Sequence, residues 1–346
     1  MREKKEGEGE PGREVELREE VPYSGSLKRE WEELLMASPF RNPFLTPTWN
    51  ENWLRHFGQS LEAKVLVFRD LNRNLVALGT FVGSEKEQEG KGFSLLGSSD
   101  VWDYRDLIIV PGWEEQVCRS LAGYLRESPW QYLELGGISE FSPTARYFPS
   151  LMQSCGFAVE QEMEEVAVYL DLPIAWEIFL EGLNSKNRHE LRRKIRRLEK
   201  ETNFELSKAE DPLALSGKME IFFDLHRKSR EDKEEFMTPE MKSYFAEIAA
   251  RFQEKGWLSL TFLQIEGKEV ATFFSFEFSG TEYVYNSGYD PEFSRFSPGI
   301  VLAALCIREA IEKRMVRFNF LRGREKYKYQ LGGKEEKIYR IRVRKS

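Results

Sequence analysis

The sequence predicts an α/β (α+β) chain of two tandem domains, each a mixed, mostly antiparallel sheet flanked by helices. Three observations carry this. The 346 residues exceed the usual span of one domain. Apolar residues make up 41% of the chain and aromatics 13%, enough for real cores. The same punctuation occurs twice: Pro111-Gly112 and Pro298-Gly299 each open a helix, and the strand after each helix ends at a glycine, Gly136 or Gly323, 24 residues beyond the first.

The elements follow in order. Residues 1–22 are charged, without an apolar core, and read as a disordered leader rather than a signal peptide. Leu27, Trp31, Leu34 and Leu35 give a helical period, and Asn42 to Pro47 breaks it. Thr46 or Thr48 caps a second helix with Trp49, Trp53, Leu54 and Phe57. Strands at 63–69 and 75–82 form a hairpin through the turn Asp70 to Asn74, and short strands fit near 93–97 and 105–110. A helix to about Glu127, a strand at 131–135, a helix at 143–154 and an extended run at 157–170 complete a domain over 23–170. Leu172-Pro173 marks the junction, because proline moves the residue before it out of helical conformation.

The second domain, 171–346, begins with helices at 176–182 and 186–201, a strand at 203–208 and helices near 213–230 and 239–255. Thr238-Pro239 is a good N-cap and first-turn pair for the last of these. A meander follows over 257–265, 269–278 and 281–288. A helix from Gly299 to about Arg314 and a strand at 315–321 complete the repeat of the first-domain pattern. The tail 337–345 alternates apolar and basic residues and reads as an edge strand.

Net charge is −7, which argues against a dedicated nucleic-acid binder. Cys118, Cys155 and Cys306 are odd in number and widely spaced, so neither a disulfide framework nor a metal site is expected. No run of about eighteen apolar residues occurs, and the expected location is cytoplasmic.

The chemistry is expected around Ser297-Pro298-Gly299. The helix they open is apolar nearly all round (Ile300, Val301, Leu302, Leu305, Ile307) and so reads as buried. A buried helix start leaves N–H groups without partners and favours an anion, pyrophosphate being the natural one. Gly299 allows close approach, and Arg295 adds charge beside it. An ordinary capping turn explains the tripeptide alone.

The order of meander, loop, apolar helix and strand is similar to the core of the GNAT superfamily. The wording of several segments resembles its CelD-like acetyltransferase branch, related to the FemAB peptidyltransferases: Pro43 to Trp49, Ser185 to Arg193, Gly288-Tyr289-Asp290-Pro291, Ser297-Pro298-Gly299, and Gly323 with Tyr327-Lys328. The resemblance covers about 25–340 and implies two GNAT-like domains, an acyl-CoA or acetyl-CoA co-substrate held by Arg295, Ser297, Gly299 and Ile300, and an active role for a lysine at Lys328. The segment Arg295 to Ile300 departs from the usual GNAT donor loop of Arg/Gln-x-x-Gly-x-Gly/Ala by lacking both glycines in that register. A longer acyl-CoA or a charged tRNA therefore stays open as donor.

Attack of an amine on an activated acyl group needs positioning, oxyanion stabilisation and proton handling. Lys328 is placed to polarise a carbonyl or hold a phosphate, Tyr327 to protonate a leaving group, and Asp290 or Glu277 to act as base. Each also has a plain structural reading: a solvated lysine, a core aromatic, a turn carboxylate, a solvated strand residue. His56, His189 and His226 are scattered and read as structural. The segment 185–200 carries eight Lys/Arg against two Glu, with Arg188, Arg192 and Arg196 on one helical face. With Tyr289, Arg188 and Arg192 are expected to bind substrate: a phosphorylated or nucleotide-linked acceptor, an anionic membrane surface, or RNA. The tail from Arg322 holds ten Lys/Arg against three Glu, and forms an anion groove if it faces the same way. Three functions follow: an N-acyltransferase acting on an amine of a sugar, peptide or envelope precursor, an aminoacyl-tRNA-dependent peptidyltransferase, and a non-catalytic binding protein on the same fold. No metal is expected, and no DNA partner.

Overall fold

The computed structural model describes residues 14–20, 25–86, 90–98, 100–229 and 235–345. In chain order these form β1 (Val15–Glu20), α1 (Gly25–Ala37), α2 (Pro47–Phe57), β2 (Ala63–Asp70), β3 (Leu75–Lys86), β4 (Gly90–Leu95), β5 (Ile108–Ile109), α3 (Glu114–Glu127), β6 (Tyr132–Ser139), α4 (Pro143–Ser154) and β7 (Phe157–Asp171). There follow α5 (Trp176–Gly182), α6 (Ser185–Glu201), β8 (Phe204–Lys208), α7 (Leu215–Ser229), α8 (Pro239–Glu254), β9 (Leu258–Ile265), β10 (Lys268–Phe278), β11 (Thr281–Tyr289), α9 (Pro298–Glu312), β12 (Arg317–Arg322), α10 (Lys326–Gln330) and β13 (Lys334–Lys345). Two compact units result. The first holds Met1–Asn50, Gly58–Glu164 and Ile338–Ser346, the second Glu51–Phe57 and Glu165–Lys337.

In the first unit β1, β2, β3 and β4 pair antiparallel in that order, β4 meets β6 in parallel, and β6 pairs antiparallel with β13. Its core joins Leu66, Phe81, Phe93 and Leu133 of the sheet to Val117, Leu121 and Leu125 of α3 and Phe148 of α4. The helix starts are capped as polar side chains near apolar runs require. Thr46 Oγ1 accepts from Trp49 N at 3.2 Å and Ser142 Oγ from Thr144 N at 3.0 Å.

Two expectations for this unit are corrected. Residues 15–20 of the expected leader form β1, in register with β2 from Val15 opposite Asp70 to Glu20 opposite Val65. Val15 and Leu17 pack on the core while Glu19 reaches Lys64 at 3.1 Å. Residues 1–13 and 21–22 lie outside the described residues. The tail is no edge strand, because β13 lies between β6 and β7. Its arginines face glutamates across the ladder: Arg340 to Glu164 at 2.9 Å, Arg342 to Glu134 at 2.5 Å and Arg344 to Glu160 at 3.1 Å. Opposite charges on facing strands explain the basic alternation, and this stretch adds no free charge to an anion groove.

The second unit repeats the pattern. β8, β9, β10 and β11 are antiparallel neighbours, β11 meets β12 in parallel, and β12 pairs antiparallel with the second half of β7. Each unit is therefore a meander, a helical crossover to a parallel strand, and a closing antiparallel strand. α9 is buried as its composition demands, with Val301, Leu302, Leu305 and Ile307 in one core with Phe273, Phe318 and Leu191. No helix among the described residues is long and apolar enough to cross a membrane.

Candidate functional site

In the second unit the parallel contact between β11 and β12 lasts three residue pairs, Thr281 to Tyr283 against Arg317 to Asn319. Beyond Tyr283 the strands part. One step later β11 takes an extra residue, Tyr285, where Phe274 faces Asn286 but Ser275 faces Val284. Such a bulge re-aims the residues after it. Gly288 is obligatory here, since a Cβ on it would stand 2.4 Å from the α7 backbone at His226 and Leu225. The gap is a cleft of about 840 Å³, its open mouth included. Ser287 and Tyr289 line one wall, Ser297, Gly299 and Ile300 the start of α9, and Tyr327 the opposite side.

The first unit has the same parting of strands but a different filling. There β4 and β6 also pair over three residues, Gly92 to Ser94 against Tyr132 to Glu134. The following loop folds back into the gap. The Trp102 ring lies where a Cβ on Gly97 would be 2.6 Å away. Arg105 donates from Nη1 to Gly97 O at 3.1 Å and from its backbone N to Gly137 O at 3.0 Å. The first unit's counterpart cleft is thus plugged by its own loop, and the second unit's is open.

At the start of α9, Ser297 takes a left-handed conformation with φ of 52°. Pro298 has no N–H, and the N–H groups of Ile300 and Val301 each donate back to Ser297 O at 3.1 Å. Gly299 N–H is the first-turn donor left over among the described residues, and a Cβ on Gly299 would meet nothing within 4 Å. The positive end of a fifteen-residue helix backs that donor. Lys194 of α6 supplies a cation beside it, donating from Nζ to Ser297 Oγ at 2.6 Å. Lys194 was not among the expected site residues. Its signal was present: on the α6 wheel it lies well round from Arg192 and Arg196, so the basic segment has two charged faces rather than one.

The structure brings Ser297, Gly299, Ile300, Tyr289 and Tyr327 to one cleft. The Tyr327 ring stands edge-on to Phe320 at 5.9 Å, and burial pushes its phenol well above the usual range. The group therefore stays a neutral hydroxyl at neutral pH. Arg295 is exposed beside the cleft with its guanidinium over the Phe296 ring at 4.3 Å. Lys328 is buried, and its ammonium donates to Leu321 O at 3.3 Å, Arg322 O at 2.6 Å and Gly323 O at 3.2 Å, with Glu325 at 2.9 Å. Its charge clamps the turn that carries Tyr327. Asp290 caps the next turn, accepting from Glu292 N at 3.1 Å and from Lys268 Nζ at 3.1 Å. Burial raises its pKa, but these bonds and the lysines outweigh burial and hold the carboxyl below its usual range.

Glu277 lies elsewhere. It is four residues along β10 from Phe273 of the cleft, about 13 Å at strand rise. It pairs there with Lys313 at 2.5 Å, in a cluster with Lys208 and Glu309, and faces Glu282 across the ladder. Arg188 and Arg192 line a separate groove on the other face of α6. No group of three or more His, Cys, Asp or Glu suited to a metal occurs among the described residues.

The two units share one plan of meander, helical crossover and parallel strand, and the second has an open cleft at a helix start. Residues 185–329 match the family model described as an acetyltransferase (GNAT) domain. Among solved structures it is similar to FemX, at 10% identity and TM-score 0.64, over 94% of this chain and 96% of that one. It is also similar to L-PGS from Bacillus licheniformis, at 14% identity and TM-score 0.53, over 98% and 95%. A third is the C-terminal domain of a putative lysylphosphatidylglycerol synthetase from Agrobacterium fabrum, at 11% identity and TM-score 0.54, over 92% of each chain. At these identities the likeness concerns the fold. No curated protein matches the sequence.

Proposed function

We propose that the second unit transfers an acyl group from an acyl-CoA thioester to an amine of a sugar, peptide or envelope precursor in the cytoplasm. The observation that carries this is the parting of β11 from β12 in front of the free Gly299 N–H. The donor's phosphates lie at the start of α9 against Gly299 and Lys194, with Arg295 at the mouth. The acyl carbon then lies between β11 and Tyr327. The amine nitrogen attacks that carbon and the carbon–sulfur bond breaks. Tyr327 gives its hydroxyl proton to the leaving thiolate and regains one from solvent, where the ammonium proton also goes. Lys328 and Asp290 serve as positioning residues for Tyr327 and Tyr289.

One observation favours a second reading. A single free N–H is a thin cradle for a pyrophosphate, so an aminoacyl ester of tRNA is the alternative donor. FemX and L-PGS have the same fold over nearly the whole chain.

The test incubates the full chain with acetyl-CoA, long-chain acyl-CoAs and aminoacyl-tRNAs against an amine panel, reading thiol release and product mass. Thiol release with amide product supports the first reading. Product from charged tRNA alone supports the second. Absence of product with every donor sinks both and leaves a binding role for the fold.

A further inference from the structure

α6 has two charged faces, and only one of them is answered by carboxylates of the same helix. On the first, Arg193 meets Glu190 at 2.7 Å, Lys194 meets Glu190 at 3.4 Å and Arg197 meets Glu201 at 3.3 Å. On the other, Arg188, Arg192 and Arg196 stand at successive i, i+4 positions and line a groove of about 1080 Å³ with Arg308 of α9. The Arg192 guanidinium makes no bond among the described residues. Arg188 gives one bond to Glu181 O at 3.2 Å, Arg196 one to Arg192 O at 3.3 Å, and Arg308 stands 3.9 Å from Glu312. Most of the guanidinium donors therefore meet no acceptor among the described residues. Like charges at i, i+4 destabilise a helix unless an anion lies against them.

Two further features narrow the anion. The row from Arg188 to Arg196 is about 12 Å long at helical rise, too long for one phosphate. At its end Glu199 lines the same groove and repels any chain of phosphates running past Arg196. Trp176 and Leu180 of α5 line the same groove, and the Trp176 ring stacks on Phe179 at 5.0 Å and 26°. An indole beside a short row of guanidinium forks suits a planar base with two or three phosphates.

We infer that this groove binds a nucleoside di- or triphosphate, free or as the head of a nucleotide-linked metabolite, at a site separate from the transfer cleft. The base lies against Trp176 and the phosphates along Arg188, Arg192, Arg196 and Arg308. The inference does not depend on the proposed transfer reaction.

Calorimetry on the full chain tests it with ADP, UDP, ATP, inorganic triphosphate, a twelve-nucleotide RNA and phosphatidylglycerol vesicles. The expected result is binding of the nucleotides, weaker binding of triphosphate alone, and about ten-fold loss in Arg192→Ala and in Arg308→Gln. Arg193→Ala, on the face paired with Glu190 and Glu201, keeps full affinity. A UDP-sugar that binds like UDP identifies the nucleotide-linked source, and ATP or ADP alone the free one; both support the site. Saturation with 4′-phosphopantetheine, which has the donor's thiol arm and a phosphate but no nucleoside, leaves nucleotide binding unchanged. Four results overturn the inference: no nucleotide binding at millimolar concentration, binding untouched by both groove variants, displacement by 4′-phosphopantetheine, or binding of RNA or vesicles only. Circular dichroism and melting of each variant separate lost binding from lost folding.

Discussion

Lys194 on α6 and Ser297 at the start of α9 are joined by a hydrogen bond of 2.6 Å, 103 residues apart in sequence. The bond holds a cation against the helix start that carries the free Gly299 N–H. Replacing Lys194 with Ala removes a charge-assisted contact worth roughly 1.5–3 kcal/mol to a bound anion. The expected outcome is a rise of about ten-fold or more in donor KM, with a small change in kcat. Steady-state kinetics with varied donor measures it, and an unchanged KM would remove Lys194 from the donor site.

Tyr327→Phe keeps the ring against Phe320 and deletes the hydroxyl. If that hydroxyl protonates the leaving group, kcat falls about 10²-fold or more while donor KM holds. Equal kcat in the two proteins would rule out proton donation from this residue.

Lys328 carries three backbone carbonyls and Glu325 on one buried ammonium. Lys328→Ala strands those acceptors and is expected to cost about 3 kcal/mol. Urea unfolding reads the loss. A variant that keeps wild-type stability but loses transfer would show that the lysine acts on substrate instead of on its turn.

Gly288→Ala places a methyl 2.4 Å from the α7 backbone, where no flexible side chain can give way. Overpacking of this kind costs about 1–3 kcal/mol and pushes α7 off β11. A lower melting temperature is expected, together with reduced transfer, since the bulged end of β11 moves with it. Gly299→Ala, which meets open space, is the contrasting variant and should melt close to wild type.

Glu282 is buried, and burial, aided by Glu277 and Glu309 and opposed by Lys208 and Lys313, pushes its carboxyl up to about 8 from 4.5. The folded state thus holds a proton that the unfolded chain has released. Its contribution is fully present below about pH 4.5 and is lost as pH rises to about 8. Glu282→Gln should unfold at higher urea than wild type above pH 8, by an amount on the order of a few kcal/mol, and the gap should close toward pH 5. Parallel urea curves at all pH values would contradict the shift.

Elements with both a cap and a clear period were legible in the sequence. The helix predicted at 143–154 is α4, because Ser142-Pro143 starts it and Leu151 and Met152 continue the apolar stripe. The helix at 176–182 is α5, and the meander, α9 and the second parallel strand fall close to where alternation and punctuation placed them. β1 was not legible, because its charged residues outnumber Val15 and Leu17 and its partner lies fifty residues away. α10 has five residues, too few for a period. Ser297, Gly299, Ile300, Tyr289 and Tyr327 could be singled out because helix starts and strand ends are marked locally. The inward turn of Lys328 and the plugging of the first cleft by Trp102 could not. Both depend on backbone space that only the folded sheet creates.

The division of strands between the units bears on the order in which a ribosome can finish them. In the first unit β6 has β4 on one side but lacks its second partner until residues 338–345, the last of β13, have emerged. Everything assigned to the second unit has been synthesised by Lys337. The half that begins translation first therefore completes its sheet last, reversing the usual N-terminal-first sequence of domain folding. A chain ending at 337 would contain all of the second unit and a first unit still missing a strand.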